Sequence, residues 1–314
     1  MRATFINTLI ELARKDDKIF LVTADMGYAV LEPFIKEFPD RFINSGITEQ
    51  ATMSLCAGLA LSGYKPYAYS ITPFITMRCF EQVRVDVAYM NTNVKIIGVG
   101  AGFEYGAAGA THHAIEDIAV MRALPNMVVC CPGDNIEAKA IIEQSAEHIG
   151  PIYIRIGKNK EAFYHEAGTQ IEIGKAAVLN HGKEIAIITT SNTLSIGKKY
   201  LADLQAEGKN PYLISMHTVK PLDTGIIHRL INENCEIYTL EEHNIIGGLG
   251  SAVAEVIAES GQAVKFKRIG VPDEYTHHIG NQEYHRARYG LNTLIYFLHF
   301  CCHISSMAVS NFLT

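Results

Sequence analysis

The sequence predicts an α/β protein of two consecutive domains, each a mostly parallel sheet flanked by helices. Three observations predict it. The chain has 314 residues, enough for two domains of about 150 residues each. Short β-rich apolar runs alternate with amphipathic stretches, which implies parallel sheets covered on both faces. Residues 157–174 (GKNKEAFYHEAGTQIEIG) are polar and break that rhythm, after which it starts again.

The opening MRATFINTLIELARKDD has the pattern of an amphipathic helix, without the apolar core and small-residue cleavage site of a signal peptide. KIFLVTAD, YKPYAYSI, NVKIIGVG, NMVVCCPG and PIYIRIG read as strands bounded by Gly, Pro, Asp or Asn, and RFIN as a short extended segment. TEQATMSLCAGLALSG, FITMRCFEQVRVDVAYM and NIEAKAIIEQSAEH carry apolar residues at i, i+3 and i+4 and read as helices. Thr48 is the expected N-cap of the first and Asn135 of the last. The expected division is 1–160 for the first domain, 161–174 for a linker, 175–303 for the second domain and 304–314 for a tail. In the second domain EIAIITT, NPYLISM, CEIYTLEE and AVKFKRIG read as strands. LIYFLHFCCHISS is short for a transmembrane span and carries two histidines, so a buried or interface helix is expected.

A formal net charge of −6 and the lack of any Lys/Arg run give no basis for a nucleic-acid or anionic-membrane partner. The seven cysteines include no CxxC pair, which argues against a disulfide framework or a zinc site and for a reducing, cytoplasmic home. No GxxxxGK[ST] phosphate loop occurs. The glycines of GVGAGFEYG miss the dinucleotide spacing, and IIGGLGSAVAE reads as a tight strand-to-helix turn.

Two segments are left that could carry chemistry. In SGITEQ, Glu49 falls in the first turn of an apolar helix. There it either complements the helix dipole or, desolvated beside Ile47 and Met53, serves as a proton-sharing acid. In GAAGATHHAIED, small residues let the backbone approach a ligand just before His112 and His113. Adjacent histidines cannot both face one metal from a regular helix, so no metal site is expected on this chain.

Taken together, FINSGITEQATMSLCAGLALSGYKPYAYSITPF and GATHHAIEDIAVMRALPNMVVCCPGD resemble the pyrimidine-binding domain of transketolase. LISMHTVKPLD and LEEHNIIGGLGSAVAE resemble its C-terminal domain, in the same order, over about residues 3–295. The resemblance implies thiamine diphosphate as cofactor and ketol transfer as reaction. Glu49 corresponds to the family glutamate that hydrogen-bonds N1′ of the aminopyrimidine and exchanges a proton there. Phe74 corresponds to the aromatic that stacks on the pyrimidine ring, and Ile47 lies in the same cofactor-binding segment. Arg78 resembles an arginine near the pyrimidine in the deoxyxylulose-phosphate synthases. Asp25 matches an acid near the thiazolium side, with a turn residue after a strand as its equal alternative. His112 matches the histidine that contacts the sugar hydroxyls, with His113 secondary.

Full-length transketolases hold the diphosphate through a divalent metal, Mg or Ca, in an N-terminal domain with a GDG…N segment that this chain lacks. The resemblance is therefore to the C-terminal half of a split enzyme, active only with an N-terminal partner in an α2β2 heterotetramer. Gly100 stands where the family's phosphorylated-sugar enzymes have a histidine, and Ala108 where they have an aspartate. Lys158 replaces an arginine that helps hold phosphate, leaving Arg155 and Lys158 as the expected anion contacts. These departures point to an atypical ketose donor or acceptor. The beta subunit of a 2-oxo-acid dehydrogenase's decarboxylating component and a catalytically silent subunit are the alternatives.

Overall fold

The computed structural model describes residues 1–159 and 161–292. Six strands, β1 (Ile19–Thr23), β2 (Phe42–Asn44), β3 (Lys65–Ile71), β4 (Lys95–Val99), β5 (Val128–Cys130) and β6 (Ile152–Ile156), pair in parallel in the order β5-β6-β4-β3-β1-β2. Every residue of β4 and β6 is buried, as expected of central strands covered on both faces. On one face, α1 (Arg2–Ala13), the short α2 (Glu32–Glu37) and α6 (Asn135–Glu147) press Phe5, Leu9, Phe34, Ile141 and Ile142 onto Tyr67, Ile97 and Ile154. On the other, α3 (Glu49–Leu61), a helical stretch over 74–89 and α5 (Asp117–Arg122) bring Met53, Val87, Ile118 and Met121 onto Val22, Ala68, Ile96 and Val129.

Three local expectations change. Asp134, rather than Asn135, caps α6, its Oδ1 accepting from the N–H groups of Ile136 (3.0 Å) and Glu137 (2.9 Å). Asn135 is committed elsewhere: its Oδ1 accepts from the Thr4 hydroxyl and its Nδ2 donates to the Glu161 carbonyl. Thr48 does sit at the N-cap position of α3, but its hydroxyl donates to the Ser45 carbonyl (2.7 Å) instead of accepting from the helix. The 74–89 stretch is also no plain α-helix. Wide π turns at Phe74–Arg78 and Val83–Tyr89 flank the short α4 (Phe80–Gln82), a form enriched at functional sites.

In the second sheet β8 (Ile185–Thr189), β9 (Tyr212–Ser215), β11 (Glu236–Asn244) and β12 (Phe266–Val271) run parallel in the order β12-β11-β8-β9. The added edge strand β7 (Ala177–Asn180) lies antiparallel to β9. Helix α7 (Leu194–Ala206) covers one face, and α8 (Thr224–Asn232) with α9 (Leu249–Glu259) the other. α10 (Gln282–Arg288) follows. One strand crosses over: β10 (Thr218–Lys220) pairs antiparallel with β5 and seals that edge of the first sheet, its Val219 joining the first core.

The polar segment joining the sheets is tied down by charge. The His165 ring lies between Asp134 Oδ2 (3.1 Å) and Glu137 Oε1 (3.3 Å). Burial opposes ionisation of Asp134, but His165 and the N–H groups of Glu137, His165 and Tyr164 hold its carboxyl down to about 2. The apolar stretch expected as a helix, LIYFLHFCCHISS, lies outside the described residues. Among the described residues no helix is long and apolar enough to cross a membrane.

Candidate active site

The candidate residues of the first domain lie just past the carboxyl ends of neighbouring parallel strands, where α/β sheets open a crevice for ligands. Asp25 follows β1, Glu49 follows β2, Phe74 and Arg78 follow β3, His112 lies in the loop after β4, and Lys158 follows β6. Separate stretches of sequence thus converge because their strands are adjacent in the sheet.

Glu49 is the first residue of α3 and only 2% exposed. Its Oε2 lies 3.3 Å from Arg78 Nε, an ion pair whose arginine is 57% exposed, yet this buried oxygen makes no hydrogen bond. A buried carboxylate oxygen left without a donor costs about 1–3 kcal/mol. An incoming ligand that supplies the donor removes that cost. The π turn that presents Arg78 also sets Phe74 at the mouth of the site, and its ring meets the His112 ring edge-on at 5.0 Å and 69°. Glu49, Arg78, Phe74 and His112 therefore share one locale.

Asp25 adopts a left-handed backbone (φ 51°). Its N–H donates to Asn44 Oδ1 (3.0 Å), and its own Oδ1 accepts from Asn44 Nδ2 and the Tyr28 hydroxyl, both at 3.2 Å. The hydrogen bond to Asp25 raises the Tyr28 phenol above its ordinary value. Asn44 Oδ1 also accepts from Gly46 N–H, so Asn44 ties the Asp25 turn to the loop leading to Glu49. Ile47 and Tyr28 are exposed, 68% and 76%.

Two expectations need correction. Arg155 is fully buried, not an anion contact. Its guanidinium lies 3.4 Å from Asp117 and donates to the carbonyls of Ala114 (2.7 Å) and Glu242 (3.0 Å), while Tyr153 donates to the same Asp117 oxygen. His113 is 3% exposed and packs edge-on against Phe103 and His285, each at 5.0 Å, with burial lowering its pKa. Neither side chain reaches the crevice.

The cation missed by sequence reasoning is Arg2, whose place on an amphipathic helix looked like an ordinary solvated position. Its Nε donates to the Lys158 carbonyl (3.0 Å), and both residues line a cavity of about 740 Å³ bounded also by Ala29, Asn135 and Glu161. Lys158 Nζ lies 4.1 Å from the centre of the Tyr105 ring, a cation–π contact. Tyr105 in turn covers Gly100: a Cβ at Gly100 would fall 2.3 Å from that ring, so a histidine at 100 and Tyr105 in this position exclude one another. The glycine-rich turn entering α9 is closed by the chain itself. Glu241 accepts from Leu249 N–H (2.7 Å) and Gly250 N–H (2.8 Å), filling the place a phosphate would take, and burial pushes its carboxyl to about 7. Among the described residues no group of three or more His, Cys, Asp or Glu is arranged to hold a metal ion.

Comparison with known proteins accords with this geometry. Residues 1–161 match the transketolase pyrimidine-binding domain, and residues 174–293 the transketolase C-terminal domain. The chain is 38% identical over 293 residues to one of the subunits of the apulose-4-phosphate transketolase of Phocaeicola vulgatus, covering 93% of each chain. It is 32% identical over 292 residues to the 6-deoxy-6-sulfo-D-fructose transketolase subunit SqwH of a Clostridium species, covering 93% of this chain and 90% of that one. Among solved structures it resembles a split-gene transketolase described as an inactive beta4 tetramer, with a TM-score of 0.85, 35% identity and coverage of 92% and 93%. The transketolase of Campylobacter jejuni shares the fold at 18% identity and TM-score 0.77, with 95% of this chain matching 46% of that one. The chain belongs to the transketolase family, in its split form, as the subunit that carries the pyrimidine-binding and C-terminal domains.

Proposed function

We propose that this chain is the activating half of a two-subunit transketolase, with the cofactor bound between it and an N-terminal partner in an α2β2 assembly. The single observation that carries this reading is the buried, undonated Oε2 of Glu49 at the mouth of the crevice, which fits a protonated ring nitrogen. Thiamine diphosphate, when bound, supplies the carbanion chemistry by which a two-carbon ketol unit leaves a ketose and joins an aldose. Glu49 holds and exchanges the proton at the pyrimidine N1′, and Arg78 steadies its charge. Phe74 offers its ring to the pyrimidine face. His112, fixed against Phe74, hydrogen-bonds the sugar hydroxyls. Asp25 and Ile47 border the cofactor from the rim. In this reading the diphosphate and its divalent metal, Mg or Ca, belong to the partner. We keep 161–174 as the linker, and place the protein in a reducing cytoplasm because its described cysteines are all free and buried.

Arg2 and Lys158 give the sugar's far end a cationic seat, while Tyr105 over Gly100 and Ala108 alter the walls around it. The substrate we favour is an atypical ketose with an anionic terminus. In the two-subunit enzyme, Lys158→Met is expected to raise KM for an anionic ketose about tenfold, the value of roughly 1.4 kcal/mol of binding, and to leave an unphosphorylated ketose unaffected. An equal effect on both would contradict the anion seat. D-xylulose 5-phosphate serving as well as any ketose in a panel would contradict the atypical donor.

A further inference from the structure

The loop between β4 and α5, residues 100–116, carries His112 and is held from both domains: Arg155 donates to the Ala114 carbonyl (2.7 Å) and Lys158 N–H to Glu104 Oε2 (2.7 Å) from the first, and the C-terminal domain grips it at the points that follow. At its start, Phe103 N–H donates to Glu242 Oε1 (2.7 Å) and Asn192 Nδ2 donates to the Ala101 carbonyl (3.3 Å). The Phe103 ring also stacks on the C-terminal domain, 4.8 Å from His285 and 5.6 Å from Tyr289. At its end, Asn244 N–H donates to the Ile115 carbonyl (2.8 Å), and just beyond it, in α5, Ala119 N–H donates to His243 Nε2 (3.3 Å). The loop also closes on itself, Ala114 N–H donating to the Gly102 carbonyl.

Glu242 is the hub. It is 1% exposed, and its carboxylate accepts from Phe103, Gln282 Nε2 (2.9 Å) and the guanidinium of Arg286, itself 7% exposed. Arg286 reaches on to Glu283 (3.0 Å) and the Asn192 carbonyl (3.4 Å). The fit against the loop is close: a Cβ at Gly102, where φ is +55°, would lie 2.4 Å from Glu242 Oε1. His113 completes the clamp. Its ring sits edge-on to Phe103 and His285 while its Nε2 meets the Gly106 carbonyl at 3.3 Å. The neighbouring residue, His112, is thereby turned the other way, toward Phe74.

We propose that the C-terminal domain positions His112, with Glu242, Arg286 and His113 as positioning residues that act through the 100–116 loop. This rests on the reading of His112 as a sugar contact. A side chain that binds substrate must be held within a fraction of an ångström, and a buried ion pair of the C-terminal domain that reaches across to the Phe103 N–H provides that restraint at the expense of desolvation. The proposal gives the C-terminal domain a share in sugar recognition without placing any of its residues on the substrate.

The test compares His112→Ala, Arg286→Met and Gly102→Ala in the two-subunit enzyme, with D-xylulose 5-phosphate as donor, or free D-xylulose if the wild type prefers it. KM and kcat for the donor, the half-saturating thiamine diphosphate concentration and hydrogen exchange at amides 110–113 are measured together. Arg286→Met loosens the clamp from the C-terminal side and Gly102→Ala from the loop side. Both are expected to raise KM about tenfold or more and to speed exchange at 110–113, with cofactor half-saturation unchanged. An impaired His112→Ala beside loop variants of wild-type KM would overturn the clamp alone. Loop variants that lose sugar and cofactor affinity in equal measure would overturn it too, as general damage to the fold. An unimpaired His112→Ala would overturn the His112 assignment and this inference with it.

Discussion

Replacing Glu49 by Gln is expected to reduce ketol transfer by at least about a hundredfold in the two-subunit enzyme, because proton transfer by a positioned side chain is worth about 10²–10⁴ in rate. The amide keeps the size and shape of the carboxyl, so α3 and the packing of Met53 and Cys56 beneath it are undisturbed. What is lost is a carboxylate able to share a proton with the ring nitrogen opposite Oε2. The lost ion pair matters little for folding, since Arg78 is 57% exposed and water can solvate it. Steady-state rates over a range of thiamine diphosphate concentrations, beside an unchanged circular dichroism spectrum, check this. Activity kept within about twofold, less than 0.5 kcal/mol of barrier, would leave Glu49 as only a helix-terminus acid and restore the silent-subunit alternative.

The largest effect on stability is expected at Arg155. Arg155→Met should destabilise the chain by about 3–5 kcal/mol, the usual result of removing one partner from a buried ion pair. The methionine fills much of the space but leaves the fully buried Asp117 with only the Tyr153 hydroxyl, and leaves the carbonyls of Ala114 and Glu242 without their donor. Because one of those carbonyls belongs to each domain, the damage falls on the contact between the sheets. The shift in urea midpoint reports it, with Lys183→Met, at a side chain 76% exposed, as a surface control expected to stay within about 0.5 kcal/mol. A shift at Arg155 as small as the control's would mean that the buried network contributes nothing to the domain contact.

The contrast between Glu49 and Arg155 shows what was legible in the sequence. The α/β alternation, and with it the row of strand ends that gathers Asp25, Glu49, Phe74, His112 and Lys158, follows from local signals: apolar runs, their bounding turns and helix periodicity. Arg155 depends on partners far along the chain. In IYIRIG it read as a polar residue free to meet an anion, yet every residue of that strand is buried on a sheet covered by helices. The signal was there, since a charge inside such a strand must be paired within the protein. Its partner Asp117 could not be named from spacing. β10 was missed for a similar reason: three residues before a proline give no periodicity, and the antiparallel pairing that makes them a strand is with β5 of the other domain. Arg2 joined Lys158 only because α1 packs beside the end of β6.

The central claim is that this chain holds one half of a shared site, and the most direct measurement is thiamine-diphosphate-dependent ketol transfer by the purified chain alone and mixed with its N-terminal partner. The expected result is activity only in the mixture, rising to a plateau at equimolar subunits and abolished by Glu49→Gln. Turnover by this chain alone would contradict the claim, because the diphosphate and metal would then have to be held by residues assigned here to the partner.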